Sequence, residues 1–186
     1  MAAPRTTGGA ALPGVRSLIF LTIGTHEPFD RLVRAVDAWC AAAGTGPRIF
    51  GQITDPGHGG HRPQHFEWVA RLAPQDYDRR IAAAALIISH AGMGSILTAL
   101  HHGKPIVVMP RRGHLRETRN DHQFTTVRML RDRPGLYVAD DETQLGHVLD
   151  LALAELSQPT AIPALAADRF TDALHAFLTG QSVAGK

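Results

Sequence analysis

The sequence predicts an α/β domain with a doubly wound, mainly parallel sheet, and three observations carry that prediction. First, short apolar runs of four to six residues alternate along the chain with amphipathic helical stretches. Second, residues 86–109, LIISHAGMGSILTALHHGKPIVVM, read as strand, glycine turn, helix, turn and second buried strand. Third, a similar strand-to-helix turn occurs near the start, where SLIFLTIGT runs into Pro28 at a helix start. Strands joined by helices in this way run parallel, with right-handed crossovers.

The elements follow in order. Residues 18–23 form the first strand, and residues 29–43 a helix with Leu32, Val33, Val36 and Trp39 on one face. Residues 44–47 stop that helix. Residues 48–53 and 66–70 are candidate strands, separated by a loop rich in Gly, Pro and His at 54–64. Pro74 opens a short helix to about Ala84. Residues 86–89 and 106–109 are strands of the continuously apolar kind that is buried on both faces. Between them Ala91, Gly92, Met93 and Gly94 turn the chain, and residues 95–102 make a short helix closed by Gly103 and Pro105. A helix follows at 120–131, a strand at 135–138 and a last helix at 142–156.

The domain organisation read from this pattern is a disordered leader over residues 1–17, an α/β domain over 18–157 and a separate C-terminal amphipathic helix over 164–180. The leader lacks the apolar run of a signal peptide. The last helix carries Phe170, Ala173, Leu174, Phe177 and Leu178 at i, i+3, i+4, i+7, i+8 spacing after Pro159 and Pro163. It can pack on its own sheet or dock on a partner.

Composition narrows the function classes. The chain has 186 residues, 44% hydrophobic and 19% charged, enough for a core without disulfide staples. Its positive charges exceed the negative by only two, with no basic tract, so nucleic acid is set aside. The single cysteine, Cys40, excludes an intrachain disulfide and reads as a small buried residue. No apolar run approaches the roughly 20 residues that span a bilayer. His58, His61 and His65 lie in a glycine-rich loop without cysteines or paired carboxylates, which reads as solvent-exposed histidine and not as a metal site.

The candidate site follows from the glycine turns. A helix that starts at Gly92 and Gly94 presents unpaired N–H groups and the positive end of its dipole, which suits a phosphate. Residues 111–123, RRGHLRETRNDHQ, follow a strand and so belong to the C-terminal edge of the sheet, where open α/β sheets bind ligands. There Arg111 and Arg112 could clamp phosphate oxygens, and Asn120, Asp121, His122 and Gln123 open the next helix with caps and hydrogen-bonding groups. No G-x-G-x-x-G follows the first strand, which disfavours a dinucleotide enzyme.

The run SHAGMGSILTALHHGKPIVVMPRR, followed by NDHQ and preceded by IFLTIGTHEPFDRLVRAVDAW, resembles the glycosyltransferase family 28 C-terminal domain. It is most similar to the donor-binding subunits of two-component bacterial exopolysaccharide glycosyltransferases, relatives of the catalytic subunit of the eukaryotic lipid-linked N-acetylglucosamine transferase. The resemblance covers about residues 18–156. It implies the Rossmann-like C-terminal half of a GT-B enzyme, binding a UDP-sugar without metal or other cofactor. It further implies transfer to a polyprenyl-linked acceptor held by a membrane-anchored partner subunit, in polysaccharide or glycolipid synthesis. The location implied is cytoplasmic, peripheral at the inner face of the membrane.

Position by position, the resemblance places His90, Ala91, Gly92, Met93, Gly94 and Ser95 beside the nucleotide sugar. Gly92 and Gly94 would admit the diphosphate and Ser95 would donate to it. Gly24 and Thr25 would form the neighbouring loop, and Asn120, Asp121, His122 and Gln123 would contact sugar or diphosphate. Related enzymes place a glutamate for the ribose hydroxyls where this chain has Thr98, which can make one hydrogen bond there but not the charged pair. His26 is the candidate for a catalytic residue. The alternative reading, of a different class, is a nucleotide-binding regulatory module with no catalysis of its own.

Overall fold

The computed structural model describes residues 18–24, 27–44, 47–119 and 121–157. The expected leader, the helix expected at 164–180, and Thr25, His26 and Asn120 lie outside the described residues.

Six strands form one all-parallel sheet: β1 (Leu18–Thr22), β2 (Arg48–Gln52), β3 (Glu67–Val69), β4 (Leu86–His90), β5 (Ile106–Met109) and β6 (Leu136–Val138). Their spatial order is β3-β2-β1-β4-β5-β6. Among the described residues five α-helices accompany them: α1 (Asp30–Ala43), α2 (Pro74–Ala83), α3 (Met93–His101) and α4 (His122–Leu130) lie between strands, and α5 (Glu142–Leu156) follows β6. The predicted doubly wound α/β fold is the observed one.

The central strands alternate their side chains between two cores, as a strand buried on both faces must. Ile19, Leu21, Leu86, Ile88, Val107 and Met109 point to one face, where they meet Leu32, Val33 and Val36 of α1 and Leu145, Leu149 and Ala152 of α5. Phe20, Ile87, Ile106 and Val108 point to the other, against Ile81 of α2, Ile96 and Ala99 of α3, and Val127 and Leu130 of α4. All ten of these strand residues are fully buried, at 0% exposure. Each such side chain contributes about 1.5–3 kcal/mol on leaving water, so the sheet centre is the most strongly held part of the molecule.

The strand order reverses at β1, which has β2 on one side and β4 on the other. Register pairs Thr22 with Ser89, so the turns leaving β1 and β4 emerge side by side at the C-terminal edge. That edge, at the switch point, is where this class of sheet opens a crevice for ligands.

The loop between β2 and β3 corrects one expectation. His58 and His65 are exposed as expected, but His61 is half-buried, and both His61 and His65 are tied to α1. The Asp37 carboxylate of α1, itself 5% exposed, takes His61 Nε2 at 2.8 Å, His65 Nδ1 at 3.1 Å, and the backbone N–H groups of Gln64 and His65 at 3.1 and 2.9 Å. Burial alone would raise the Asp37 pKa, but these hydrogen bonds together hold the carboxyl below its usual range. The histidines thus fasten a glycine-rich loop to α1. Cys40 is half-buried instead of buried, and burial pushes its thiol up to about 11, so it stays protonated. Among the described residues no cluster of metal-ligating side chains occurs, and no helix is long and apolar enough to cross a membrane.

Candidate functional site

A cleft of about 370 Å³ opens at the switch point. Its walls are Ile23, Gly24 and Glu27 after β1, Tyr77 of α2, His90 at the end of β4, Gly94 and Ser95 of α3, Arg111 after β5, and Gln123 of α4. Six elements therefore converge on one space.

Helix α3 is capped by Gly92, which offers no side-chain cap, and its first intrahelical bond is donated by Ile96 N–H to Gly92 O at 3.2 Å. The amides of the first turn, from Met93 to Ser95, have no intrahelical partner. With Gly94 and Ser95 on the cleft wall, that turn offers donors and a positive dipole end to an anion. Gly94 has open space where a side chain would stand.

His90 is the centre of the arrangement. Its Nδ1 lies 3.2 Å from Ser89 Oγ, and its ring is wedged between the two glycine turns. A Cβ on Gly92 would come within 2.2 Å of His90 Nε2, which no side chain can do without moving the ring. Gly24 has φ +84°, and a Cβ there would lie 3.3 Å from His90 Cε1. Gly92 is thus required by the imidazole, and Gly24 by its positive φ, with the ring close beside it. Burial, reinforced by the positive charge of Arg111, lowers the His90 pKa to about 4, so the ring is neutral at pH 7.

Arg111 departs from expectation. The side chain is 3% exposed, and its guanidinium donates to four backbone carbonyls: Pro28 at 2.6 Å, Ile23 at 2.8 Å, Glu27 at 2.8 Å and Glu117 at 3.0 Å. It also lies over the Phe29 ring, 4.6 Å from the centroid. Four of its five N–H groups are committed, so Arg111 holds the β1–α1 turn in place and is not a free phosphate clamp. Its backbone N–H donates to Gln123 Oε1 at 3.0 Å, leaving the amide nitrogen of Gln123 as that side chain's donor at the cleft.

Arg112 turns away from the cleft, towards Asp140 O at 3.5 Å and the Asp141 carboxylate at 3.7 Å, at the start of α5. Its expected clamp role is corrected on that geometry. Replacing Arg112 by Ala should change stability by less than about 1 kcal/mol, the usual worth of a loose surface ion pair, and leave affinity for any anion held at the cleft within about twofold. Thermal melting and calorimetry check both, and a tenfold loss of affinity would return Arg112 to the donor site.

The remaining expected residues divide. Ala91 is fully buried, with its N–H given to Met109 O at 3.1 Å, and Met93 packs on the core, so neither side chain forms a cleft wall. Thr98 lies one turn beyond Gly94 and donates to Gly94 O at 2.8 Å. Asp121 does not cap α4; its carboxylate accepts from Gly113 N–H at 2.8 Å, closing the β5–α4 loop. His122 is exposed at the start of α4. Nearby, Arg31 binds Glu117 through two 2.8 Å bonds and Glu142 through another, fastening the same loop to α1 and α5.

Glu27 and Tyr77 are cleft residues that the sequence did not announce. Glu27 stood inside the quoted GTHEPF segment and could have been found there; Tyr77, on a helix of its own, carried no signal.

Against this geometry stand the similarities to known proteins. The family described as the glycosyltransferase family 28 C-terminal domain matches residues 59–175, more than half of the chain. The chain belongs to that family. No curated protein matches it significantly. Among solved structures, the family 28 domain is similar to the kitacinnamycin glycosyltransferase, with TM-score 0.63 and 21% identity, covering 97% of this chain and 47% of that one. It is also similar to Arabidopsis thaliana UGT89C1 complexed with UDP, with TM-score 0.52 and 18% identity over 92% and 41% of the two chains. The solution structure of ALG13 gives TM-score 0.54 and 18% identity, with 86% of this chain matching 95% of ALG13. The family 28 domain therefore spans under half the length of the first two relatives and nearly the whole of the third. At these identities the likeness concerns the fold, that of the C-terminal domain of GT-B glycosyltransferases.

Proposed function

We propose that this domain is the donor-binding part of a glycosyltransferase, taking a UDP-sugar at the cleft between β1 and β4. The observation that carries the reading is the uncapped N-terminus of α3, with Gly94 and Ser95 on the wall of a switch-point cleft and open space at Gly94. Helix-terminal amides stabilise the charge that develops on a departing diphosphate without proton transfer. UDP is the nucleotide of choice because a structural relative carries it. The acceptor in this reading is polyprenyl-linked and held by a membrane-anchored partner subunit at the inner face of the membrane. The near-complete match to ALG13, set against half-length matches to larger enzymes, supports a half that works with a separate second half. A regulatory module without catalysis would keep the anion site but needs no acceptor beside it.

The test uses the two glycines of the turn, which the geometry separates. Gly94→Val fills space that is empty in the free protein, so melting should hardly change while UDP affinity falls at least tenfold, about 1.4 kcal/mol. Gly92→Ala meets the His90 ring, so both stability and affinity should fall, the former by about 1–3 kcal/mol as overpacking costs. Calorimetry showing unchanged UDP affinity in folded Gly94→Val would sink the donor assignment.

A further inference from the structure

The cleft has two charged side chains on its described wall, Arg111 and Glu27. Arg111 is occupied by carbonyls, so Glu27 is the charged group still able to act on a ligand. A carboxylate is a poor neighbour for a diphosphate, and its presence beside an anion-seeking helix needs a chemical reason. Three features supply one. The side chain is exposed, and among the described cleft residues it is the sole carboxylate. Its backbone is fixed, because Arg111 grips the carbonyls of Ile23, Glu27 and Pro28 at 2.6–2.8 Å. Its position is on the β1 side, one strand across from the α3 amides, and the next residue, Pro28, already lines a neighbouring cleft of about 580 Å³. A group that must stand between a donor and an arriving acceptor belongs at such a boundary.

We infer that Glu27 is the general base of glycosyl transfer at this cleft, an assignment that rests on the donor reading above. In the step, the acceptor hydroxyl oxygen forms a bond to C1 of the sugar while its proton passes to the Glu27 carboxylate. The bond from C1 to the diphosphate oxygen breaks, and its electron pair leaves on UDP. The proton on Glu27 is returned to water before the next turnover.

The experiment uses the full chain with washed membranes of the producing cells as the source of partner and acceptor. UDP-glucose, UDP-galactose and UDP-N-acetylglucosamine, labelled in the sugar, serve as donors, and label extracted into organic solvent is counted. Glu27→Gln keeps shape and removes basicity. It should lower turnover about a hundredfold or more, the usual contribution of general base catalysis, with the KM for donor and the Kd for UDP within about twofold. Glu27→Asp should retain more activity than Glu27→Gln. Wild-type turnover in Glu27→Gln overturns the assignment, as does a raised KM at unchanged turnover, which would make Glu27 a binder of sugar hydroxyls. Wild-type protein that fails to bind UDP overturns the donor reading itself, so the two failures are distinguishable.

Discussion

Replacing Arg111 by Ala should cost about 3–5 kcal/mol of stability and abolish nucleotide binding together with it. The magnitude follows from burial and from the number of partners. At 3% exposure the guanidinium is out of water, and it serves the carbonyls of Ile23, Glu27, Pro28 and Glu117. Removing it leaves those neutral acceptors short of a donor, and at about 1–3 kcal/mol for each buried acceptor left unsatisfied the total reaches about 3–5 kcal/mol. The site suffers with the fold because three of the four carbonyls belong to the turn that carries Gly24 and Glu27. Arg111→Lys is the informative companion. A lysine keeps the charge but offers three donors from one point, so it cannot reproduce the planar fork across four carbonyls, and it should recover only part of the loss. Chemical denaturation of the three proteins, with UDP calorimetry alongside, gives the comparison. If Arg111→Ala stays as stable as wild type but loses UDP affinity, Arg111 is a phosphate ligand after all.

That reassignment shows where sequence reading stops. Arg111 and Arg112 were legible as basic residues after a strand, at the right edge of the sheet. Their partners were not, since Arg111 binds backbone carbonyls distant in the chain, and a carbonyl has the same chemistry under any side chain. The same holds for Asp37, whose four hydrogen bonds come from a loop that reads as polar and free. By contrast every strand was visible, because a run such as residues 86–88 or Ile106–Met109 in a parallel sheet is buried on both faces and is therefore continuously apolar. The glycine turn at Gly92 was also visible. Its need to clear His90 was not, since the ring's orientation depends on packing between β1 and β4. Tyr77 reaches the cleft only because α2 packs beside β1, a consequence of topology and not of local pattern.

Acidification should remove about 3 kcal/mol of stability through His90 alone. In the folded protein burial, with the Arg111 charge adding to it, lowers the imidazole pKa to about 4, against an ordinary value near 6.5 when unfolded. The native state therefore favours the neutral ring. Above about pH 6.5 the ring is neutral in both states and the advantage is fully present. As pH falls from there towards 4, the unfolded chain takes up a proton that the folded one resists, and each unit of the gap costs 1.36 kcal/mol. Carboxylates such as Asp37 also titrate on the acid side, so the measurement is a difference. Stability of wild type minus that of His90→Gln, followed by denaturation from pH 7 to 4, should shrink by about 3 kcal/mol. A difference that stays constant over that range would mean the ring is solvated and ionises freely. The same linkage bears on the donor. A diphosphate seated beside the imidazole adds negative charge, which favours the protonated ring and raises its pKa from about 4 in the complex. Binding of a UDP-sugar, whose diphosphate diester stays ionised on the acid side, should then take up protons, and its affinity should rise on acidification. Calorimetry in two buffers of different ionisation enthalpy reads that uptake directly, and its absence would place the diphosphate away from His90.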